Sequence, residues 1–109
     1  MNSKLFRVLA IASALVAGQV AAADIEAGKK KAQEVCAACH NMDGVSTVPD
    51  YPKLAGQYPD YMAKALRDYK SQARKNPIMV GMAAGLTQKE IDDVAAYYGS
   101  LNPVVQTRM

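Results

Sequence analysis

Five consecutive residues, Cys36-Ala37-Ala38-Cys39-His40, gather both cysteines and the single histidine of this 109-residue chain. The spacing C-x-x-C-H is the attachment signature of a c-type haem. Two thiols three positions apart at a helix end can reach the two vinyl groups of one porphyrin as thioethers. The imidazole of the next residue then comes to the iron from the same side. Other chemistries built on these residue types fit less well. A thioredoxin-like dithiol sits near a βαβ pattern, and the chain offers no convincing strand. A structural zinc site takes four ligands, whereas Cys36, Cys39 and His40 make three. A simple disulfide remains compatible with an oxidising compartment.

With one histidine, bis-histidine ligation is excluded, and methionine is the other common protein ligand of an electron-transfer haem. Six methionines are present. Met1 belongs to a leader, Met42 lies too near His40 to cross to the opposite face, Met62 falls on the apolar face of a helix, and Met109 ends the chain. Met79 and Met82 remain, in the glycine-containing stretch Pro77-Ile78-Met79-Val80-Gly81-Met82. From Pro77 to Leu86 the sequence reads as a loop able to wrap across a flat cofactor, and spacing does not separate the two candidates. An open site is the alternative. It would suit peroxide or a small gas, but no second histidine is left to move protons there. A Ser-His-Asp set is excluded for the same reason, and no glycine-rich phosphate loop occurs.

The elements that must position these groups are helical. Ile25, Gly28, Ala32 and Val35 recur at helical spacing over residues 25–35, with Asp24 placed to cap the start. Gly44, Pro49, Pro52 and Gly56 punctuate a loop over 41–58. Met62, Ala65, Leu66, Tyr69 and Ala73 share one face from Pro59 to Arg74, and proline suits a first helical turn. Thr87-Gln88-Lys89-Glu90 is a capping box that opens a helix with Ile91, Val94, Ala95, Tyr98 and Leu101 on one face, stopped by Pro103. The expectation is a small all-α domain of about three main helices around one covalent haem.

Residues 1–23 read as a secretory signal peptide. Lys4 and Arg7 precede an apolar run, and Ala21-Ala22-Ala23 offers a small-residue cleavage site. Cleavage before Asp24 leaves one domain, 24–109, with 103–109 a loose tail. Two of the thirteen basic residues and none of the ten acidic ones precede Asp24, so 24–109 carry eleven basic against ten acidic groups, a formal +1. That balance removes the concentrated positive charge that nucleic-acid binding requires. No other stretch is apolar enough to span a membrane. A core this small, with one Phe and no Trp in the chain, calls for a staple, and the cofactor supplies it. Lys29-Lys30-Lys31 and Arg67, Lys70, Arg74 and Lys75 read as solvated helix faces, the last group also suiting its helix dipole.

The segments AGKKKAQEVCAACH, YPKLAGQYPDYMAKAL and IMVGMAAGLTQKEIDDVAAYY resemble those of class I cytochromes c. The likeness is to the single-haem c553-like group and to either half of the di-haem cytochromes c4, over nearly all of residues 24–102. The resemblance implies that Pro52, twelve residues after His40, accepts the second N–H of that histidine through its carbonyl, and that Leu54 packs on the haem. It implies Met79 as axial ligand, eight residues before the last helix, with Met82 the alternative. It also implies a crossing of first and last helices, Gly28 and Ala32 against Tyr97 or Tyr98. The function implied is one-electron transport in the periplasm, by transient docking to periplasmic or membrane redox proteins, without enzymatic activity of its own. The alternative is a haem subunit of a larger oxidoreductase.

Overall fold

The computed structural model describes residues 22–103, so residues 1–21 of the leader and the tail from Val104 onward lie outside the described residues. Five helices follow in order: α1 (Ile25–Val35), α2 (Ala37–His40), α3 (Pro59–Ser71), α4 (Pro77–Ala84) and α5 (Gln88–Gly99). No strand occurs among the described residues. The three long helices are those the periodicity predicts, and two short ones join them.

Helix α1 begins immediately after Asp24, whose own backbone is extended. Its Oδ1 accepts from the N–H groups of Glu26 and Ala27 at 3.0 and 3.1 Å, satisfying two of the four unpaired donors of a helix start. Helix α5 opens on the full capping box: the N–H of Glu90 donates to the Thr87 hydroxyl (3.1 Å), and that of Thr87 to the Glu90 carboxylate (3.0 Å). Helix α3 has Pro59 in its first turn and ends at Ser71, three residues before Arg74, because Gln72 takes a left-handed conformation (φ 66°).

The stretch from Pro77 to Leu86 is not the expected loop; it contains a helix, α4. Asn76-Pro77, which reads as a break after α3, is also a start signal: the Asn76 side chain accepts from the N–H groups of Ile78 and Met79, both at 3.1 Å, and Pro77 has no N–H to satisfy. Its sequence PIMVGMAA is apolar on every side, so no periodicity marks it.

The core is formed by Ala32, Met62, Ala63, Leu66, Leu86, Ile91, Val94, Ala95, Tyr97 and Tyr98. Helix α5 contributes half of it, more than any other element, because it packs against both α1 and α3. Ile25, by contrast, is 45% exposed. The crossing of α1 over α5 is close: a Cβ added at Gly28 would lie 1.9 Å from the carbonyl oxygen of Asp93. Glycine therefore meets backbone at Asp93–Val94, about one turn before the tyrosines that the resemblance points to. An ion pair braces the same crossing, Lys31 Nζ to Glu90 Oε2 at 2.6 Å. Lys31 is thus tied down, unlike the solvated face expected of it.

Candidate functional site

The two cysteines and the histidine stand where α1 gives way to α2. Cys36 closes α1, donating its N–H to the Ala32 carbonyl, and its own carbonyl accepts from His40 N–H at 3.0 Å. This turn sets Cys36, Cys39 and His40 within one short helical segment. Neither thiol is in a disulfide, and both are half-buried. Burial pushes the Cys36 thiol up to about 11, so it is protonated at neutral pH.

His40 is 93% buried, at 7% exposure. Its Nδ1 lies 2.8 Å from the carbonyl oxygen of Pro52. A carbonyl can only accept, so the proton is on Nδ1, and Nε2 keeps its lone pair for a metal. The loop that carries Pro52 is fixed at three points. Leu54 and Ala55 donate their N–H groups to the Gly44 carbonyl (2.9 and 3.1 Å), and Gly56 donates to the carbonyl of Tyr98 at 3.0 Å. Gly44 sits at φ +69°, and a Cβ there would come within 2.7 Å of Ala55 N and 3.0 Å of the Tyr98 ring. The backbone that orients the imidazole depends on that missing side chain.

Immediately after His40, Asn41 adopts φ 62°, ψ 163°, a conformation that costs a non-glycine residue about 1–3 kcal/mol. Its surroundings hold it there. Asn41 Nδ2 donates to Val45 O (2.8 Å), and its carbonyl accepts from the Tyr98 hydroxyl (3.0 Å). The Tyr97 hydroxyl donates to the Met42 carbonyl at 2.6 Å. Tyr97 and Tyr98 are both buried. They are core residues, and their hydroxyls anchor the segment behind His40. The adjacency of two tyrosines in the last helix is the available signal; their partners lie 55 and 57 positions away. Burial pushes both hydroxyls above the usual tyrosine range, Tyr98 the further of the two, so they remain donors.

The methionines fall in different places. Met62 is buried in the core and Met42 packs partly against it. On α4, Met79 is half-buried and also packs against the core, as do Cys36 and Leu54, whereas Met82 is 48% exposed. The thiol of Cys36, the thioether of Met79 and the side chain of Leu54 therefore pack against one core, and Cys39 and the buried imidazole of His40 follow Cys36 on the same short turn. This donor set fits a c-type haem: two thiols for thioether bonds, and nitrogen and sulfur ligands for iron.

Comparison with known proteins agrees with that chemistry. The Cytochrome c family model matches residues 25–102. Cytochrome c4 of Thiocapsa roseopersicina is 52% identical over 77 residues, covering 71% of this chain and 40% of that protein. Cytochrome c-554(548) of Halomonas halodenitrificans is 40% identical over 82 residues, 72% of this chain and 98% of that one. The crystal structure of reduced cytochrome c4 from Pseudomonas stutzeri superposes with a TM-score of 0.71 at 41% identity, over 77% of this chain and 48% of that one. The chain thus spans about half the length of the cytochromes c4 it matches, from 39% to 53%. With one C-x-x-C-H segment in a domain that corresponds to half of a di-haem cytochrome c4, the chain belongs to the cytochrome c family and carries one covalent haem c.

Proposed function

We propose that this domain is a periplasmic one-electron carrier whose single haem is attached through Cys36 and Cys39 and ligated by His40 and Met79. It shuttles electrons between respiratory redox partners and has no enzymatic activity of its own. The observation that carries the reading is the buried imidazole fixed by Pro52, together with a thioether, Met79, packed against the same core as Cys36 and Leu54. The group, when bound, supplies a one-electron couple at iron.

The protein's residues prepare the ligands for that couple. Pro52 fixes the ring of His40 and increases the basicity of Nε2 through the Nδ1–H bond. A thioether ligand from Met79 raises the reduction potential by favouring the ferrous state. Ligands held in the same place in both oxidation states keep the structural change on electron transfer small. Docking to partners is transient, which suits small interfaces and rapid release. Residues 1–23 act as the export signal in this reading, and the mature domain starts at Asp24. No helix of the described residues is long and apolar enough to cross a membrane.

Oxidised and reduced optical spectra of protein matured in a haem c-attaching host test this. A low-spin spectrum with the weak long-wavelength sulfur-to-iron band is expected, lost in Met79→Ala and kept in Met82→Ala. A high-spin spectrum that shifts on adding carbon monoxide or cyanide would mean an open site and overturn the carrier. Loss of the band in Met82→Ala instead would move the ligand to that residue.

A second reading, a haem subunit of a larger oxidoreductase, is favoured by one relative. The protein of Chlorobaculum tepidum described as the cytochrome subunit of sulfide dehydrogenase is 39% identical over 67 residues, 62% of this chain and 60% of that one. Gel filtration of native periplasm separates the readings: a free carrier elutes near its own mass, a subunit with its partner.

A further inference from the structure

We propose that Lys70 is a positioning residue for the methionine side of the site: its ammonium fastens the C-terminal end of α4, the helix that bears Met79, to α3. The inference rests on Met79 being the axial ligand and adds the group that holds it in place. Lys70 Nζ donates to the carbonyl of Ala84, the last residue of α4, at 3.2 Å, and to the carbonyl of Leu86. Leu86 is buried, and its N–H in turn donates to Ala83 O at 3.1 Å. One side chain thus joins α3, the end of α4 and the linker into α5.

Helix α4 has need of such a tie. It is eight residues long, and Ala83 alone of them is buried. Ile78 is 57% exposed, and nothing lies within 4 Å of a Cβ built at Gly81 or Gly85. At its N-terminus Asn76 caps two donors. At the opposite end α4 has no basic residue of its own in the last turn, so the negative end of its dipole takes its cation from α3. The neighbouring basic residues do other things. Lys64 pairs with Asp68 on its own helix, Arg67 with Asp92 of α5, and the Arg74 guanidinium lies 4.9 Å over the Tyr69 ring. Lys70 is the one of this group aimed at the carbonyls that end α4.

A metal ligand must be held to within about half an ångström by its surroundings. A helix loosened at one end gives its methionine more ways to leave the iron. The test uses the haem-loaded protein with Lys70→Met, which keeps the aliphatic stem and removes charge and donors. Lys70→Arg is the rescue variant and Lys64→Met the control. The sulfur-to-iron band and far-UV circular dichroism are followed together through a guanidinium chloride titration, and the reduction potential is measured. In Lys70→Met the band is expected to disappear before the helix signal, with the equilibrium constant for methionine detachment raised about tenfold and a lower potential. Lys70→Arg restores most of both, and Lys64→Met behaves as wild type.

Loss of band and helix together, shifted equally, would make Lys70 merely structural and overturn the proposal; so would an unchanged band. A wild-type protein without the band overturns the Met79 reading itself, whereas a wild-type band that Lys70→Met leaves alone overturns this inference only. If Lys70→Met does not take up haem, Lys70→Gln, which keeps a neutral donor, is read by the same criteria.

Discussion

The histidine side and the methionine side of the domain are built to different standards. Behind His40, α1 and α5 touch backbone to backbone at Gly28, two tyrosine hydroxyls anchor residues 41 and 42, and an ion pair bridges the crossing. Behind Met79 stands one short helix, capped at its start and fastened at its end, with a largely exposed outer face. In the ligation proposed above, many independent contacts make one ligand hard to displace. Few contacts make the other the first to go, since local opening follows the density of buried contacts.

The largest effect that tests this contrast removes the staple itself. The haem-free Cys36→Ala, Cys39→Ala chain is expected to be largely unfolded by far-UV circular dichroism, on both sides alike; a strong native-like helical signal would show that the polypeptide builds the histidine side unaided. Next comes Gly28→Val. Its side chain has nowhere to go but into the Asp93 backbone, and overpacking of this kind costs about 1–3 kcal/mol or more. A large fall in the urea midpoint is expected, with His40 and Met79 lost together, and an unchanged midpoint would mean that the crossing yields easily.

Tyr98→Phe removes one hydrogen bond. The Asn41 carbonyl keeps the N–H of Gly44 at 3.3 Å, so a loss of about 1 kcal/mol is expected in chemical denaturation. A still smaller effect comes from acid. Lys31, with help from the Thr87 N–H, holds the Glu90 carboxylate down at about 2 against an ordinary 4.5. A lowered carboxylate contributes stability in full above pH 4.5 and loses it as pH falls toward 2. Lys31, raised to about 12 by Glu90 and then Glu34, loses its share only as pH rises past 10.5. Glu90→Gln, which still completes the capping box, should flatten the acid limb of a midpoint-against-pH curve; an unaltered slope would place the acid sensitivity elsewhere. Smallest of all is Met82→Gln on the exposed face of α4, expected to stay within about 0.5 kcal/mol of wild type.

The same contrast governs what can be read from the chain. On the histidine side the signals are local: C-x-x-C-H, Asp24 before an amphipathic run, and a capping box at Thr87. Helix α1 starts and stops where its periodicity predicts. On the methionine side periodicity fails, because α4 is apolar on every face and contains glycine, and Asn76-Pro77, which reads as a break, is the start of a helix. The early end of α3 at Ser71 is decided by Gln72, a residue with no strong preference for the left-handed turn it makes. Long-range partnerships are also silent in sequence. Nothing near Lys31 or Lys70 indicates that one finds Glu90 and the other finds the carbonyls that end α4.

The tyrosine bonds to Asn41 and Met42 also set an order in time. They join the last helix of the domain to the segment that follows the two cysteines, across more than fifty residues. Contacts of such sequence separation form late, after the loop between them has closed. In the export proposed above, a chain emerging from a translocation channel would present Cys36 and Cys39 before α5 arrives to lock the segment behind them. The thiols would then be reachable until the final helix arrives, so that attachment would precede the locking of the segment behind His40.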